Sequence, residues 1–374
     1  MRNGSTNQSE KILATSGEFV PTAFHLPGDG SGSMVEPVSW QLAMKRAIRS
    51  GSELRKTVGL PPDPAEDLDA AGKLAGERDF PTFAPLEYIS RIRPGDAEDP
   101  LLRQILPVTD EQTEKSGFGA DPVGDLNSLV SPGVLHKYEG RALILTTAAC
   151  GIHCRYCFRR EFPYREAGSR QNDWLPSIEY IEQHPDIEEV ILSGGDPLTT
   201  SDEKLQELMS ALEKIHHLKR LRIHSRMPVV IPQRVTGQLL DMLSSSRLAT
   251  WMVIHANHPH ELSDSVLSGM GAMIDAGIPV LNQSVLLRGV NDRSETLIEL
   301  CRLLVNHRIQ PYYLHQLDRV RGATHFEVPI ETGMKIIEDL RSELPGFAVP
   351  QYVVEKPGEK SKSPIQTFTT NGSS

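Results

Sequence analysis

Six short apolar runs, Ala142–Thr147, Glu189–Ser193, Leu221–Ser225, Trp251–His255, Val280–Ser284 and Tyr312–His315, punctuate the chain between residues 142 and 315. They are rich in β-branched or aromatic residues, which favour a pleated, buried backbone. After a longer first interval they recur roughly every 30 residues, the length of one strand, one helix and two loops. Most intervals carry an amphipathic helical pattern, clearest at Leu205, Leu208, Met209, Leu212 and Ile215, with Thr200 and Glu203 spaced as a capping box. Buried strands alternating with helices form right-handed βαβ units on a parallel sheet. Six such units predict an α/β fold, a partial (βα)6 TIM-like barrel; an open doubly wound sheet is the competing arrangement.

Polar residues gather where these runs end. Cys150 follows the first, Ser193-Gly194-Gly195-Asp196 the second, and His224-Ser225-Arg226 the third. His255 with Asn257 closes the fourth, Asn282-Gln283-Ser284 lies in the fifth, and His315 ends the sixth. Loops after strands are wet in any protein. Five of six ending in Ser, His, Asn, Gln or Arg, with Cys150 after the first, nevertheless favours one shared site, because barrels of this type carry their chemistry at the carboxyl ends of the strands.

The flanks read differently. Residues 1–35 are polar and Gly/Ser-rich and predict a flexible arm. Residues 36–135 combine helical patterns with Pro-rich breaks and a connector, 136–345 hold the repeating core, and 346–374 form a C-terminal segment. A net charge of −10 argues against a protein built to grip nucleic acid. With no basic start before an apolar run and no stretch of about 18 apolar residues, the expectation is a cytoplasmic protein without a membrane partner.

Three of the four cysteines fall within eight residues, as Cys150-Gly-Ile-His-Cys154-Arg-Tyr-Cys157. Three thiolates on one loop can hold three irons of a [4Fe–4S] cubane and leave the fourth open to a small chelating molecule. The competing reading is a zinc site, which normally closes with four Cys or His ligands. His153 is the candidate fourth, awkwardly placed between the others. Cys301 sits in a helical pattern (Leu297, Leu300, Leu303, Leu304) and reads as core filler.

Cys-x3-Cys-x2-Cys with Tyr156 before the last cysteine, followed by Gly194-Gly195-Asp196 after the second strand, resembles the radical S-adenosylmethionine (SAM) superfamily. Longer patterns are similar to its lysine 2,3-aminomutase group: Cys157-Phe-Arg159-Arg160, Leu192-Ser-Gly-Gly-Asp-Pro-Leu198, Ser225-Arg-Met-Pro-Val-Val-Ile-Pro-Gln-Arg234 and Asn282-Gln-Ser-Val-Leu-Leu-Arg-Gly-Val-Asn-Asp292. Asp99-Pro-Leu-Leu-Arg-Gln104, Gly133-Val-Leu-His-Lys-Tyr138, His224-Ser-Arg226 and Tyr313-Leu-His-Gln-Leu-Asp318 resemble the subgroup that serves β-lysylation of elongation factor P. The resemblance spans roughly residues 95–366.

It implies a radical SAM barrel and an isomerase that uses a [4Fe–4S] cluster, SAM and pyridoxal 5′-phosphate (PLP) to convert L-lysine to β-lysine. An external one-electron reductant would reduce the cluster. The link to elongation factor P would be indirect, through a separate ligase. Residue by residue, it implies Cys150, Cys154 and Cys157 as cluster ligands, and Gly194, Gly195, Asp196, Ser225, His255 and Gln283 around SAM. Lys362, before Ser363-Pro364, is the implied Schiff-base lysine, although one glycine precedes it where the family can have four; Lys356 and Lys360 are its neighbours. Arg141 is implied at the PLP phosphate and Arg159 at the substrate carboxylate, with Arg160 beside it. Asp292 and Glu355 are implied at the substrate ε-ammonium, Glu355 standing where the family has aspartate. Two other functions stay open: free β-lysine as a solute or antibiotic precursor, and a non-catalytic zinc-binding interaction protein.

Overall fold

The computed structural model describes residues 22–28, 34–62, 74–168 and 174–365. Its centre is a ten-stranded sheet whose spatial order follows the chain without reversal. The strands are β1 (Leu129–Ser131), β2 (Val134–Tyr138), β3 (Arg141–Thr147), β4 (Glu189–Gly194), β5 (Arg220–Ser225), β6 (Ala249–His255), β7 (Val280–Val285), β8 (Gln310–His315), β9 (Gln351–Val354) and β10 (Ser363–Pro364). Strands β3 to β9 run parallel, while β1, β2 and β10 pair antiparallel at the two edges. A doubly wound sheet reverses its strand order at a switch point. This one never does, and the barrel-like arrangement holds.

All six expected strands are present as β3 to β8. All six strand–helix units are in place, and β9 adds a further parallel strand inside the segment 346–374. It is four residues long, too short to show a period beside the Pro and Gly around it. The helices that cover the sheet are α1 (Leu175–Glu182), α2 (Asp202–Leu212), α3 (Gly237–Ser244), α4 (Asp264–Asp275), α5 (Ser294–Asn306) and α6 (Ile330–Glu343). Helix α2 starts one residue later than the capping-box spacing suggests, with Ser201 rather than Thr200 at its N-cap.

Alternation along the strands separates core from site. In β4, β5 and β7 every second residue is buried: Val190 and Leu192, Leu221 and Ile223, Val280 and Asn282. The apolar ones pack against the helices, where each fully buried Leu or Ile contributes about 1.5–3 kcal/mol. The intervening residues Ile191, Ser193, His224, Gln283 and Val285 line an internal cavity instead. One strand parity builds the core and the other furnishes most of the site, joined at the strand ends by Gly194 and Ser225.

Before the sheet, short helical segments at Trp40–Lys45, Gly51–Thr57, Leu86–Ile89 and Pro100–Arg103 pack on one flank. Asp99 caps the last, accepting from Leu101 N at 2.8 Å and Leu102 N at 3.1 Å, with Pro100 in the first turn where its missing N–H costs nothing. Within the expected arm 1–35, Phe24–His25 pairs antiparallel with Met34–Val35. Residues 1–21 and 29–33 lie outside the described residues, as do 366–374.

Candidate active site

One cavity of about 300 Å³ opens inside the curve of the sheet and is lined from both sheet edges. Cys150, Cys154, Cys157, Gly194, Gly195, Asp196, Ser225, His255, Gln283, Arg141, Arg159, Glu355 and Lys362 all line it. Asp292 does not. Its buried neighbour Asn291 knits the turn after β7, donating to Asn257 O at 3.0 Å and Val285 O at 2.9 Å. On the next unit Asp318, just beyond the end of β8, does line the wall, together with Asp125, Asp196 and Glu355.

The cysteine loop is clamped from outside the barrel. Arg155, fully buried, donates to Glu111 and to Gly76 O, and its backbone N–H to Gln104 O. His153 stacks on Phe80 with ring centroids 4.9 Å apart and its Nδ1 lies 2.8 Å from Pro81 O. His153 is thus turned into the flank and is not among the cavity-lining residues. The three cysteines face the cavity. Burial and the neighbouring thiols push Cys157 up to about 11 and Cys150 well above its ordinary value, the response of acids gathered in an apolar pocket. Among the described residues no three His, Cys, Asp or Glu side chains converge on a single ion. A cubane asks only that each thiolate reach its own iron, and this loop fits it.

Gly194 and Gly195 have a backbone task. A Cβ on Gly194 (φ +119°) would meet Thr147 O at 2.7 Å, and one on Gly195 would meet Ala149 O at 2.2 Å. Two glycines let the end of β4 lie against the backbone that leads into Cys150. Asp196 then locks the next strand. Its Oδ1 accepts from Leu198 N and Ser225 Oγ, and its Oδ2 from the backbone N–H of Arg226 and Met227, all at 2.7–3.0 Å. Its carboxylate is spent on architecture, although the residue borders the cavity.

At the opposite side the charges alternate. Lys362 Nζ pairs with Glu355, which also accepts from Lys137 at 2.7 Å. Lys137 reaches Asp125 at 2.8 Å, and Asp125 accepts from Arg159 Nε at 2.7 Å. Burial alone would raise Glu355, but Lys362 and Lys137 prevail and hold its carboxyl at about 2. Burial pushes Asp318 the other way, up to about 7, only partly offset by Lys362. Burial keeps His224 and His315 far below the ordinary histidine range, so both are neutral in the free protein. Of the three C-terminal lysines, Lys362 lines the cavity and the exposed Lys356 and Lys360 do not. Of the paired arginines, Arg159 lines it, whereas Arg160 is bound to Glu111, Arg155 O and Gly322 O behind the loop.

Comparison with known proteins supplies the family. The radical SAM superfamily model matches residues 144–301. Over 326 residues the chain is 41% identical to the L-lysine 2,3-aminomutase of Escherichia coli (strain K12), covering 87% of this chain and 94% of that one. The Haemophilus influenzae L-lysine 2,3-aminomutase is 42% identical over 88% of this chain and 96% of its own length. That of Clostridium subterminale is 36% identical, with 77% of its length covered. The chain belongs to the lysine 2,3-aminomutase family.

As a radical SAM aminomutase it is an isomerase whose cofactors are a [4Fe–4S] cluster, SAM and PLP. The residues present fit that set: three thiols on one wall and a lysine with a basic cluster on the other, joined by one cavity. Sequence reasoning missed Asp125, Lys137 and Asp318 as wall residues. Lys137 and Asp318 lay within quoted motifs, and their positions in a strand and just past a strand end were the available signal. Asp125 had none, being brought in by a connector without periodicity.

Proposed function

We propose that this aminomutase moves the α-amino group of L-lysine to the β-carbon, giving β-lysine, with SAM at the cysteine end of the cavity and PLP at the Lys362 end. The observation that carries the reading is the joint lining of one cavity by the three cysteines, Arg159, Asp318, Glu355 and Lys362. Bound together, the cluster and SAM supply a carbon radical and PLP supplies a C=N bond through which nitrogen can migrate.

The chain's own residues position the partners. Lys362 is the amine that anchors PLP, with Arg141 toward its phosphate. Ser225, His255 and Gln283 border the SAM end, and His255 is held in place by Tyr156 OH at 2.8 Å from its Nε2. Arg159 is oriented by Asp125 so that the rest of its guanidinium can meet the substrate carboxylate, a planar fork for a planar anion. At the far end Asp318 and Glu355 offer carboxyls to the ε-ammonium, which would be costly to bury unpaired. Glutamate and alanine carry no such cation, so these two residues select lysine.

We infer further that the product serves β-lysylation of elongation factor P through a separate ligase in the cytoplasm, with an external one-electron donor reducing the cluster. Support comes from the subgroup motifs and from the near full-length match to the shorter relatives. The test is anaerobic reconstitution with iron, sulfide, PLP, SAM and dithionite, followed by chromatography for β-lysine from L-lysine. No β-lysine from a fully loaded protein would sink the reading. For the elongation factor, deletion of the gene should remove a β-lysyl mass increment from the factor, and an unchanged mass would refute that role.

A further inference from the structure

Behind the cysteine loop lies a buried polar node that substrate chemistry leaves unused. Arg226, at the end of β5, donates from Nη1 to Cys154 Sγ at 2.7 Å. Its Nη2 donates to Gln104 Oε1 and Glu261 Oε2, both at 2.7 Å, and lies 3.4 Å from Tyr88 OH. The guanidinium also sits over the rings of Tyr88 and Tyr156, at 5.5 and 5.8 Å. Glu261 is itself fixed, its Oε1 accepting from Asn257 N at 2.8 Å, His258 N at 3.1 Å and Gln104 Nε2 at 3.1 Å. The Nε of Arg226 is buried and has no hydrogen-bond partner among the described residues, although the residue borders the cavity. A buried donor left over in an otherwise saturated node is one that a bound group can use.

We propose that Arg226 is a positioning residue that tunes the iron–sulfur cluster: its guanidinium, aimed by Glu261 and Gln104, donates to the Cys154 sulfur and eases reduction of the cluster bound there. This rests on the cluster-binding reading above. The physical basis is charge. Reduction adds one electron to a cluster already ligated by three thiolates, inside a pocket that screens poorly. A fixed cation and a hydrogen bond on one sulfur favour the more negative state and raise the potential, as hydrogen bonds to sulfur do in iron–sulfur proteins generally. Glu261 opposes this in part, because its carboxylate neutralises the same guanidinium. The two residues therefore act with opposite sign. The node also explains a task for the N-terminal flank, since Tyr88 and Gln104 come from residues 36–135 and reach the cluster end through Arg226 and Tyr156.

The experiment compares wild type, Arg226→Lys, Arg226→Gln and Glu261→Gln. Each is reconstituted anaerobically with iron and sulfide, assayed for iron and labile sulfide per chain, and titrated spectroelectrochemically without substrate. The proposal expects a full cluster in all four. The midpoint potential should fall in Arg226→Gln, fall less in Arg226→Lys, and rise in Glu261→Gln. Equal potentials in chains with full clusters overturn it, as do shifts of the same sign in Arg226→Gln and Glu261→Gln. If Arg226→Gln keeps its circular dichroism but takes up no cluster, Arg226 builds the site rather than tuning it, which also overturns the proposal. Failure of wild type itself to take up iron and sulfide would instead strike the cluster reading on which it stands.

Discussion

Lys137 and Glu355 meet at 2.7 Å across the open seam of the sheet. Lys137 lies in β2, second in the strand order from one edge, and Glu355 directly follows β9, second from the other. Strands that far apart in a flat sheet would be tens of ångströms distant, at about 4.8 Å per strand. The pair therefore measures the curvature. The barrel is closed on this side by charge rather than by a ladder of backbone hydrogen bonds, and the same Glu355 also holds Lys362. Seam and Lys362 share one carboxylate.

That sharing makes the fold acid-sensitive at a definite place. Glu355 is held from its ordinary 4.5 down to about 2, so its folded form is the better acid. The stability this contributes is complete above about 4.5 and is lost as pH falls toward 2, by linkage on the order of 3 kcal/mol. Glu355→Gln should lose most of it at neutral pH and show a flatter stability profile between pH 5 and pH 2, to within about one pH unit. Urea unfolding across that range measures both. A Glu355→Gln profile with the wild-type acid slope would refute the assignment.

Asp318 predicts a pH dependence of ligand binding in a higher range. With its carboxyl at about 7 in the free protein, it is largely protonated in mildly acidic buffer. An ammonium prefers the ionised carboxylate, so lysine binding should release a proton and tighten as pH rises toward 7, levelling above it. The raised value also means that Asp318 costs stability as pH climbs from 3.8 through 7 without ligand. Asp318→Asn should weaken lysine use by at least tenfold, about 1.4 kcal/mol, and remove the pH dependence. Calorimetry in two buffers of different ionisation heat counts the proton directly.

The contrast between Asp292 and Asp318 shows where sequence reading succeeds and where it stops. Strands β3 to β8 were legible because each is a compact apolar run and most are followed by a helical period, and local chemistry alone selects them. The cysteine loop was legible because its chemistry is contiguous. Asp292 and Asp318 both follow strands on adjacent units, and nothing local says which carboxyl faces the cavity. That depends on how Asn291 anchors one turn and on which way the chain leaves β8. Asp125 and Lys137 reach the site only because the sheet curls until its edges meet, a property of the whole barrel.

The cysteines separate cleanly by role. Cys150, Cys154 and Cys157 line the cavity, whereas Cys301 is buried in α5, where burial pushes its thiol up to about 12. Replacing any of the first three by Ala should abolish cluster absorbance and reductive SAM cleavage. Cys301→Ala should keep both and lower stability by roughly 1 kcal/mol, the cost of a small cavity. Full SAM cleavage in Cys154→Ala protein would contradict the ligand set.

Lys362 offers the sharpest separation of the two cofactor ends. Its amine sits beside Glu355, while the cysteine loop is held by Arg155, Glu111 and Arg226, none of which touches it. Lys362→Ala should therefore remove the PLP absorbance and all turnover, yet leave the cluster and its uncoupled cleavage of SAM. Lys360→Ala and Lys356→Ala, changes on exposed side chains, should bind PLP as wild type does. The charge chain adds a second readout that needs no cofactor. Removing Lys362 deprives Glu355 of one of its two cations, so its carboxyl should rise from about 2 toward its ordinary value, and the acid limb of unfolding should move up in pH. Retention of PLP by Lys362→Ala together with its loss from Lys360→Ala would place the Schiff-base lysine two residues upstream. An unmoved acid limb would show that Lys137 alone sets Glu355.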